Sequence, residues 1–285
     1  TAEVIAGAGA GPNNSALVRI FKTDGVKLLE FTPFSTFCGV NVAAADLDGN
    51  GAAEVIVAPG ASPQCGDVNP GTVKVYAYAK ETSEMIPTGV EIKAHDGYYG
   101  ATVAAADTEG DWLPELVTAP GPGPENPALV RIWKLDTTQG IGAWTAAQAG
   151  EIVMPGLKRG AAVAAGDVNG DEKDEIIAAV DSGAGNAAPA LVKIFKNDGT
   201  ELGSFTASGY KLGANVAATD LDGDGLVEIV SGAGPDSSAG KKPAGNKVVE
   251  PVVRVFGANG SEKFSITPYA DTGYGAKVAV GELGL

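Results

Sequence analysis

Val40-Asn41-Val42-Ala43-Ala44-Ala45-Asp46-Leu47-Asp48-Gly49-Asn50-Gly51-Ala52-Ala53-Glu54-Val55-Ile56-Val57 reads as a strand of small residues, an acid-rich loop and a second, β-branched strand. The phrase returns three times, through Ala101-Thr102-Val103-Ala104-Ala105-Ala106-Asp107, Ala161-Ala162-Val163-Ala164-Ala165-Gly166-Asp167 and Ala214-Asn215-Val216-Ala217-Ala218-Thr219-Asp220. Gly39, Gly100, Gly160 and Gly213 lead the four strands. From Asp46 to Asp107 is 61 residues, from Asp107 to Asp167 is 60, and from Asp167 to Asp220 is 53. A further copy, Ala276-Lys277-Val278-Ala279-Val280-Gly281 behind Gly275, repeats the strand without the aspartate. Self-similarity at such a period marks an array of one supersecondary unit.

A second element recurs downstream: Val73-Lys74-Val75-Tyr76, Val130-Arg131-Ile132-Trp133, Val192-Lys193-Ile194-Phe195 and Val253-Arg254-Val255-Phe256. Its fifth example, Val18-Arg19-Ile20-Phe21, stands near residue 1, whereas the fifth first strand stands near residue 285. The two half-repeats are complementary. A ring of four-stranded sheets that closes by joining both ends of the chain in one blade explains them; a solenoid gives no reason for them. The expectation is an all-β, five-bladed β-propeller forming one domain over residues 1–285, with 271–285 completing a blade begun by 1–36. A fourth strand is expected after the turns Asp24-Gly25, Asp198-Gly199 and Asn259-Gly260.

Composition agrees. The chain has 41 Gly and 17 Pro, yet 44% of it is hydrophobic, which fits many short strands and turns better than disorder. The net charge of −15 makes nucleic acid an ill-suited partner, because such binding rests on Lys and Arg neutralising phosphates. No run of about 18 apolar residues is present, so no membrane insertion by a helix is expected.

Each acidic loop is nine residues long and places oxygen-bearing groups at positions 1, 3, 5 and 9, with a backbone carbonyl at position 7. Loop one offers Asp46, Asp48, Asn50, Ala52 and Glu54, and loop two Asp107, Glu109, Asp111, Leu113 and Glu115. Loop three offers Asp167, Asn169, Asp171, Lys173 and Glu175, and loop four Asp220, Asp222, Asp224, Leu226 and Glu228. A hard cation that takes six to eight oxygens in flexible geometry suits this set, so up to four Ca2+ are expected. An EF-hand begins with similar residues, but its position 12 must be a ligating glutamate; here that residue is Val57, inside a strand. Loops one and four, with glycine at positions 4 and 6, rank above loops two and three, where Trp112 and Glu172 take position 6.

With strand, loop and strand in view, the repeat resembles the FG-GAP repeat of integrin α-subunit propellers and their bacterial relatives. The resemblance is carried by Tyr99-Gly100, the loop Asp107 to Glu115, and Ala119-Pro120-Gly121, with Ala58-Pro59-Gly60 at the same place in blade one. It implies calcium bound for rigidity, an extracellular or cell-surface setting, and a role in adhesion or recognition. The order Ala-Pro-Gly replaces Gly-Ala-Pro, and five blades replace the seven of integrins, so partner specificity does not carry over.

Other features are weighed against plainer readings. The basic residues Arg19, Lys74, Arg131, Lys193 and Arg254 recur in phase; an exposed strand face or an ion pair between blades explains them more simply than a functional ring of cations. Phe21, Tyr76, Trp133, Phe195 and Phe256, also in phase, read as core between blades. Trp112 and Trp144 break phase and could stack on sugars or pack against the surface. Cys38 and Cys65 are either two buried thiols or one disulfide; topology puts both at one end of blade one, which favours the disulfide. His95 is the single histidine and no Gly-x-Ser-x-Gly elbow occurs, so the expectation is a non-enzyme. Variable loops after the second strands, 59–71 and 232–247, are where a protein or glycan ligand would bind. A self-assembling surface or filament subunit, and a carbohydrate-binding or carbohydrate-active propeller, are the alternatives.

Overall fold

A computed structural model describes residues 3–60, 69–180, 190–208, 213–234, 252–268 and 278. Every element in it is a strand, and every sheet is an antiparallel meander. Blade five holds β1 (Glu3–Gly7), β2 (Val18–Lys22) and β3 (Lys27–Phe31). Blade one holds β4 (Val40–Ala45), β5 (Glu54–Pro59), β6 (Gly71–Ala79) and β7 (Glu84–His95). Blade two holds β8 (Ala101–Ala106), β9 (Glu115–Pro120), β10 (Pro127–Asp136) and β11 (Thr145–Lys158). Blade three holds β12 (Ala161–Gly166), β13 (Glu175–Val180), β14 (Leu191–Phe195) and β15 (Glu201–Thr206). Blade four holds β16 (Ala214–Thr219), β17 (Glu228–Ala233), β18 (Val253–Phe256) and β19 (Glu262–Ile266). The chain is therefore a five-bladed β-propeller, as its repeat predicts. The segment 276–281 apart from Val278, the variable loops over most of their length, and Cys65 lie outside the described residues. Cys38 is buried and disulfide-bonded.

The second strands β5, β9, β13 and β17 are buried at every residue, which is why they read as unbroken β-branched runs and not as alternating ones. The small first strands pack side by side around the ring axis, β4 against β8 and β8 against β12. Apolar clusters seal the blade boundaries. Val18 and Ile20 meet Val55 and Val57 between blades five and one, and Val73 and Val75 meet Val103 and Leu116 between one and two. Val130 and Ile132 meet Ile176 and Phe195 between two and three, and Val192 and Ile194 meet Ile229 and Phe256 between three and four. In-phase aromatics take part: Phe31 stacks on Tyr76 at 4.9 Å and Phe205 on Phe256 at 4.6 Å between ring centroids.

Two expectations need correction. The recurrent basic residues pair within their own blade, with a glutamate on its fourth strand (the third described strand in blade five): Arg19–Glu30, Lys74–Glu91, Arg131–Glu151, Lys193–Glu201 and Arg254–Glu262, at 2.6 to 3.4 Å. In the first three the partners sit directly opposite in the ladder, where opposite charges attract across a strand pair. Two of the arginines add a bond between blades, Arg131 Nη1 donating to Ala94 O at 2.6 Å and Arg254 Nη1 to Ala207 O at 3.4 Å. Trp144, in turn, is no surface platform. It is buried among Val75, Val90 and Leu135 beneath the long hairpins of blades one and two, and its backbone N–H donates to Thr88 O.

The residues between strands two and three carry a further in-phase residue, an asparagine, in blades one, two and five. Asn69 Nδ2 donates to Phe37 O and Gly60 O, and Asn126 Nδ2 donates to Tyr98 O and Gly121 O. Their own carbonyls accept the N–H of the next blade's leading glycine, Gly100 and Gly160. Asn14 repeats part of this, donating to Gly9 O and accepting from Gly39. All three stand four residues before the first valine of the Val-basic-aliphatic-aromatic tetrad, a signal that was present in the sequence. Asn126→Ala would strand two carbonyls in a buried site, and we expect it to cost about 2 kcal/mol in denaturant unfolding; an unchanged midpoint contradicts the assignment.

His95 is buried, with Nε2 3.2 Å from Thr118 Oγ1, which also accepts from Trp133 Nε1 at 2.9 Å. Burial, with the Arg131 charge adding to it, pushes its pKa down to about 3, against the smaller opposing pulls of Thr118 and Asp96. The neutral form is therefore favoured on folding. Between pH ~6.5 and about 3 the unfolded chain takes up a proton that the folded one refuses, so stability is complete above that window and falls as the pH drops through it. The stability difference between wild type and His95→Gln should shrink by about 2 kcal/mol from pH 7 to pH 5. Parallel curves across that range contradict this.

Candidate metal centre

The four acidic loops share one wiring, built by aspartates that bond to their own backbone. The position-1 carboxylate accepts the N–H groups that curl back over it: Asp46 from Asn50 and Gly51, Asp107 from Gly110, Asp111 and Trp112, Asp167 from Gly170 and Glu172, and Asp220 from Gly223 and Gly225. Position 5 accepts the N–H of position 7, as Asn50 does from Ala52, Asp111 from Leu113, Asp171 from Lys173 and Asp224 from Leu226. The position-9 glutamates, Glu54, Glu115, Glu175 and Glu228, open the buried second strands and are themselves buried. Each accepts the N–H of position 2, from Leu47, Thr108, Val168 and Leu221.

This curl needs a left-handed backbone at position 6. Gly51 and Gly225 adopt it at φ of 85° and 89°, whereas Trp112 and Glu172 are held there at 65° and 62°. An L residue in that region costs roughly 1–2 kcal/mol, so loops two and three keep the loop geometry against local strain. Neighbouring loops also lock together. The N–H of Asp174 donates to Asp107 O at 2.8 Å and that of Val227 to Asp167 O at 2.9 Å, each from position 8 to position 1 of the preceding loop. Asp174, which carries no ligand position, adds its carboxylate to the N–H of Asp107. The position-7 residues Leu113, Lys173 and Leu226 lie over Gly49, Gly110 and Gly170 of the preceding loops.

The loops differ in what faces their carboxylates. In loop one Asp46, Asp48 and Glu54 bring one carboxylate oxygen each to within 4.8 Å of one another, and in loop four Asp220, Asp222 and Asp224 do the same. Each group has the composition to hold a metal ion. Burial, followed by the charges of Asp48 and Asp46 against the steadying Leu47 N–H, pushes Glu54 up to about 7. Burial likewise raises Glu115 and Glu175. Loops two, three and four each carry a lysine from an outer strand or its end: Lys134 on Glu109 at 2.6 Å, Lys196 on Asp171 at 3.1 Å, and Lys263 on Asp222 at 2.8 Å and also on Glu228. The residue in the Lys134 and Lys196 place of blade one is Ala77, and among the described ion pairs none falls on loop one. Nothing local in the sequence announces those lysines, which lie 25 or more residues from the groups they meet, or 35 in the case of Glu228. Asn169, on its side, donates to Glu175 and so serves its own loop.

Residues 167–231 match the FG-GAP-like repeat family, a span that runs from loop three through β13 to β16 and loop four into β17. A search of curated proteins gives no match by sequence. Among solved structures, a protein of unknown function from Bacteroides caccae superposes with a TM-score of 0.52 at 11% identity, over 93% of this chain and 72% of that one. A rhamnogalacturonan lyase from Bacillus licheniformis gives a TM-score of 0.48 at 15% identity, over 93% of this chain and 48% of that one. At 11% identity the first likeness speaks to fold alone. The chain is a five-bladed β-propeller carrying an FG-GAP-like repeat.

Proposed function

We propose that the protein is a calcium-binding β-propeller that works outside the cell or at its surface as a non-catalytic scaffold for recognition. The observation that carries the reading is loop one. Its carboxylates are oriented by backbone N–H groups, converge within 4.8 Å, and have no ammonium among them in the described ion pairs. An all-oxygen donor set with two aspartates, an asparagine and a buried glutamate suits a hard divalent cation, and its flexible loop suits calcium better than magnesium. Asp46, Asp48, Asn50 and Glu54 would hold the ion, with the Ala52 carbonyl beside them. The ion would tie the loop to the start of β5 and offset repulsion among carboxylates that no basic side chain answers in the described ion pairs.

Loop four, ranked beside loop one on sequence, takes second place in this reading, because Lys263 already supplies a positive charge to Asp222 and Glu228. The lysines of loops two and three do part of the same service. The non-catalytic reading is supported by the burial of the sole histidine and by acids that are committed to loop wiring. A second reading, glycan binding, is favoured by Trp112, which is 84% exposed at the tip of loop two.

The test is calcium-dependent stability after chelation. Saturating Ca2+ at about 100 times Kd adds about 2.7 kcal/mol, which for a domain of this size is a rise on the order of 5–10 °C in Tm. Asp46→Asn should remove most of the calcium-induced rise, and Asp222→Asn little of it. Lys263→Met should add a second calcium-dependent increment. If calcium leaves Tm unmoved, or Asp46→Asn responds as wild type does, the reading fails.

A further inference from the structure

Position 5 of the acidic loops is aspartate in loops two, three and four, as Asp111, Asp171 and Asp224, and asparagine in loop one, as Asn50. Asn50 is followed by Gly51, and both are exposed. A peptide nitrogen can close on the side-chain amide carbon of the asparagine before it, and glycine, having no Cβ, hinders this least. Nothing lies within 4 Å of where a Cβ on Gly51 would stand, so the surroundings leave the approach open as well. Two hydrogen bonds of the loop fall on the atoms that such a closure uses. The Gly51 N–H, whose proton must leave for its nitrogen to attack, donates to Asp46 Oδ2 at 2.7 Å. A carboxylate held there is a base suited to assist that proton's departure. Asn50 Oδ1, where negative charge gathers as the nitrogen adds to Cγ, accepts the Ala52 N–H at 2.8 Å. The same bond folds the amide back over the peptide that follows it.

The chain has two other Asn-Gly pairs, Asn169-Gly170 and Asn259-Gly260, and the fold treats them differently. Asn169 Nδ2 donates to the buried Glu175, which holds the amide toward the start of β13 and away from Gly170. The Gly260 N–H donates at 2.9 Å to Gly257 O, a backbone carbonyl that takes up no proton, and the Phe205 side chain crowds Gly260. Among the described hydrogen bonds, a carboxylate on the attacking nitrogen and a donor on the amide oxygen coincide at Asn50-Gly51 alone.

We propose that Asn50-Gly51 is a self-modifying site, at which loop one converts its own asparagine to an acid. The Gly51 nitrogen bonds to Asn50 Cγ, the Cγ–Nδ2 bond breaks, and Nδ2 leaves as ammonia, carrying the proton that Gly51 gives up. Water then opens the cyclic imide at either carbonyl and leaves an aspartyl or an isoaspartyl residue. The aspartyl product gives loop one the position-5 carboxylate of loops two, three and four. The isoaspartyl product routes the backbone through the side chain and lengthens the loop by a methylene between Asp48 and Gly51. Each product adds a negative charge. The step consumes only solvent water and stands apart from the calcium reading.

The test is peptide mapping by mass spectrometry after the full chain is incubated at neutral pH with a chelator present. In urea the three pairs should convert at like rates, since each is an asparagine before a glycine. In the folded protein Asn50 should convert about tenfold faster than Asn169 and Asn259, the factor given by about 1.4 kcal/mol of barrier. Both aspartyl and isoaspartyl products should appear. Asp46→Asn should slow conversion at Asn50 by a similar factor, whereas Glu54→Gln, which alters a loop-one carboxylate that meets Leu47 and not Gly51, should leave it unchanged. Conversion of Asn50 in the folded protein no faster than at the other two pairs overturns the proposal. So does a rate that Asp46→Asn leaves unmoved or that Glu54→Gln slows equally, and a wholly aspartyl product overturns the ring closure.

Discussion

At three blade boundaries, five to one, one to two and two to three, neighbours meet at a contact that only bare backbone can make. A Cβ on Gly100 would overlap the carbonyl oxygen of Pro59, one on Gly160 that of Pro120, and one on Gly39 that of Ala8. The residue before each is also forced into the left-handed region, Cys38 at 86°, Tyr99 at 76° and Arg159 at 84°. Such strain persists only where surroundings over-determine it, and here the asparagine carbonyls and the Pro-Gly ends of the second strands do so. Because the first strands start from this fixed point, their small residues can crowd the axis. The acidic loops that follow them are then delivered side by side, close enough for neighbouring loops to bond.

That placement explains why the loops behave as a set. Bonds from position 8 to position 1 couple loop two to loop three and loop three to loop four. Loop two cannot pass the same bond back to Asp46, because its position 8 is Pro114, which has no N–H. Among the described residues loop one thus stands apart in two respects: it receives no such bond from loop two, and no ion pair falls on its carboxylates. The same repeat has therefore produced three loops whose carboxylates meet a lysine and one, among the described ion pairs, whose carboxylates do not.

How much of this could be read beforehand divides along the range of the interactions. Period-dominated features were legible: blade number, strands one to three, the turns at Gly25, Gly199 and Gly260, and the candidate ligands all follow from local residues repeated in phase. The intra-blade pairing of Arg19, Lys74, Arg131, Lys193 and Arg254 was not, because their glutamates sit at differing distances along the chain, from Lys193 to Glu201 at the shortest to Arg131 to Glu151 at the longest. Trp144 misled for a related reason. A residue out of phase signals an added feature but not its burial, which is set by the long β10–β11 hairpin folding over blade one. The lysines that differentiate the loops were hidden likewise, since Lys263 approaches Asp222 from 41 residues away.

The account stands on an ion in loop one, and crystals of the protein grown with calcium would address it directly. Anomalous difference density should appear among Asp46, Asp48 and Glu54, with the Lys263 ammonium still between Asp222 and Glu228. Density absent from loop one, or present only in loop four with Lys263 displaced, would contradict it.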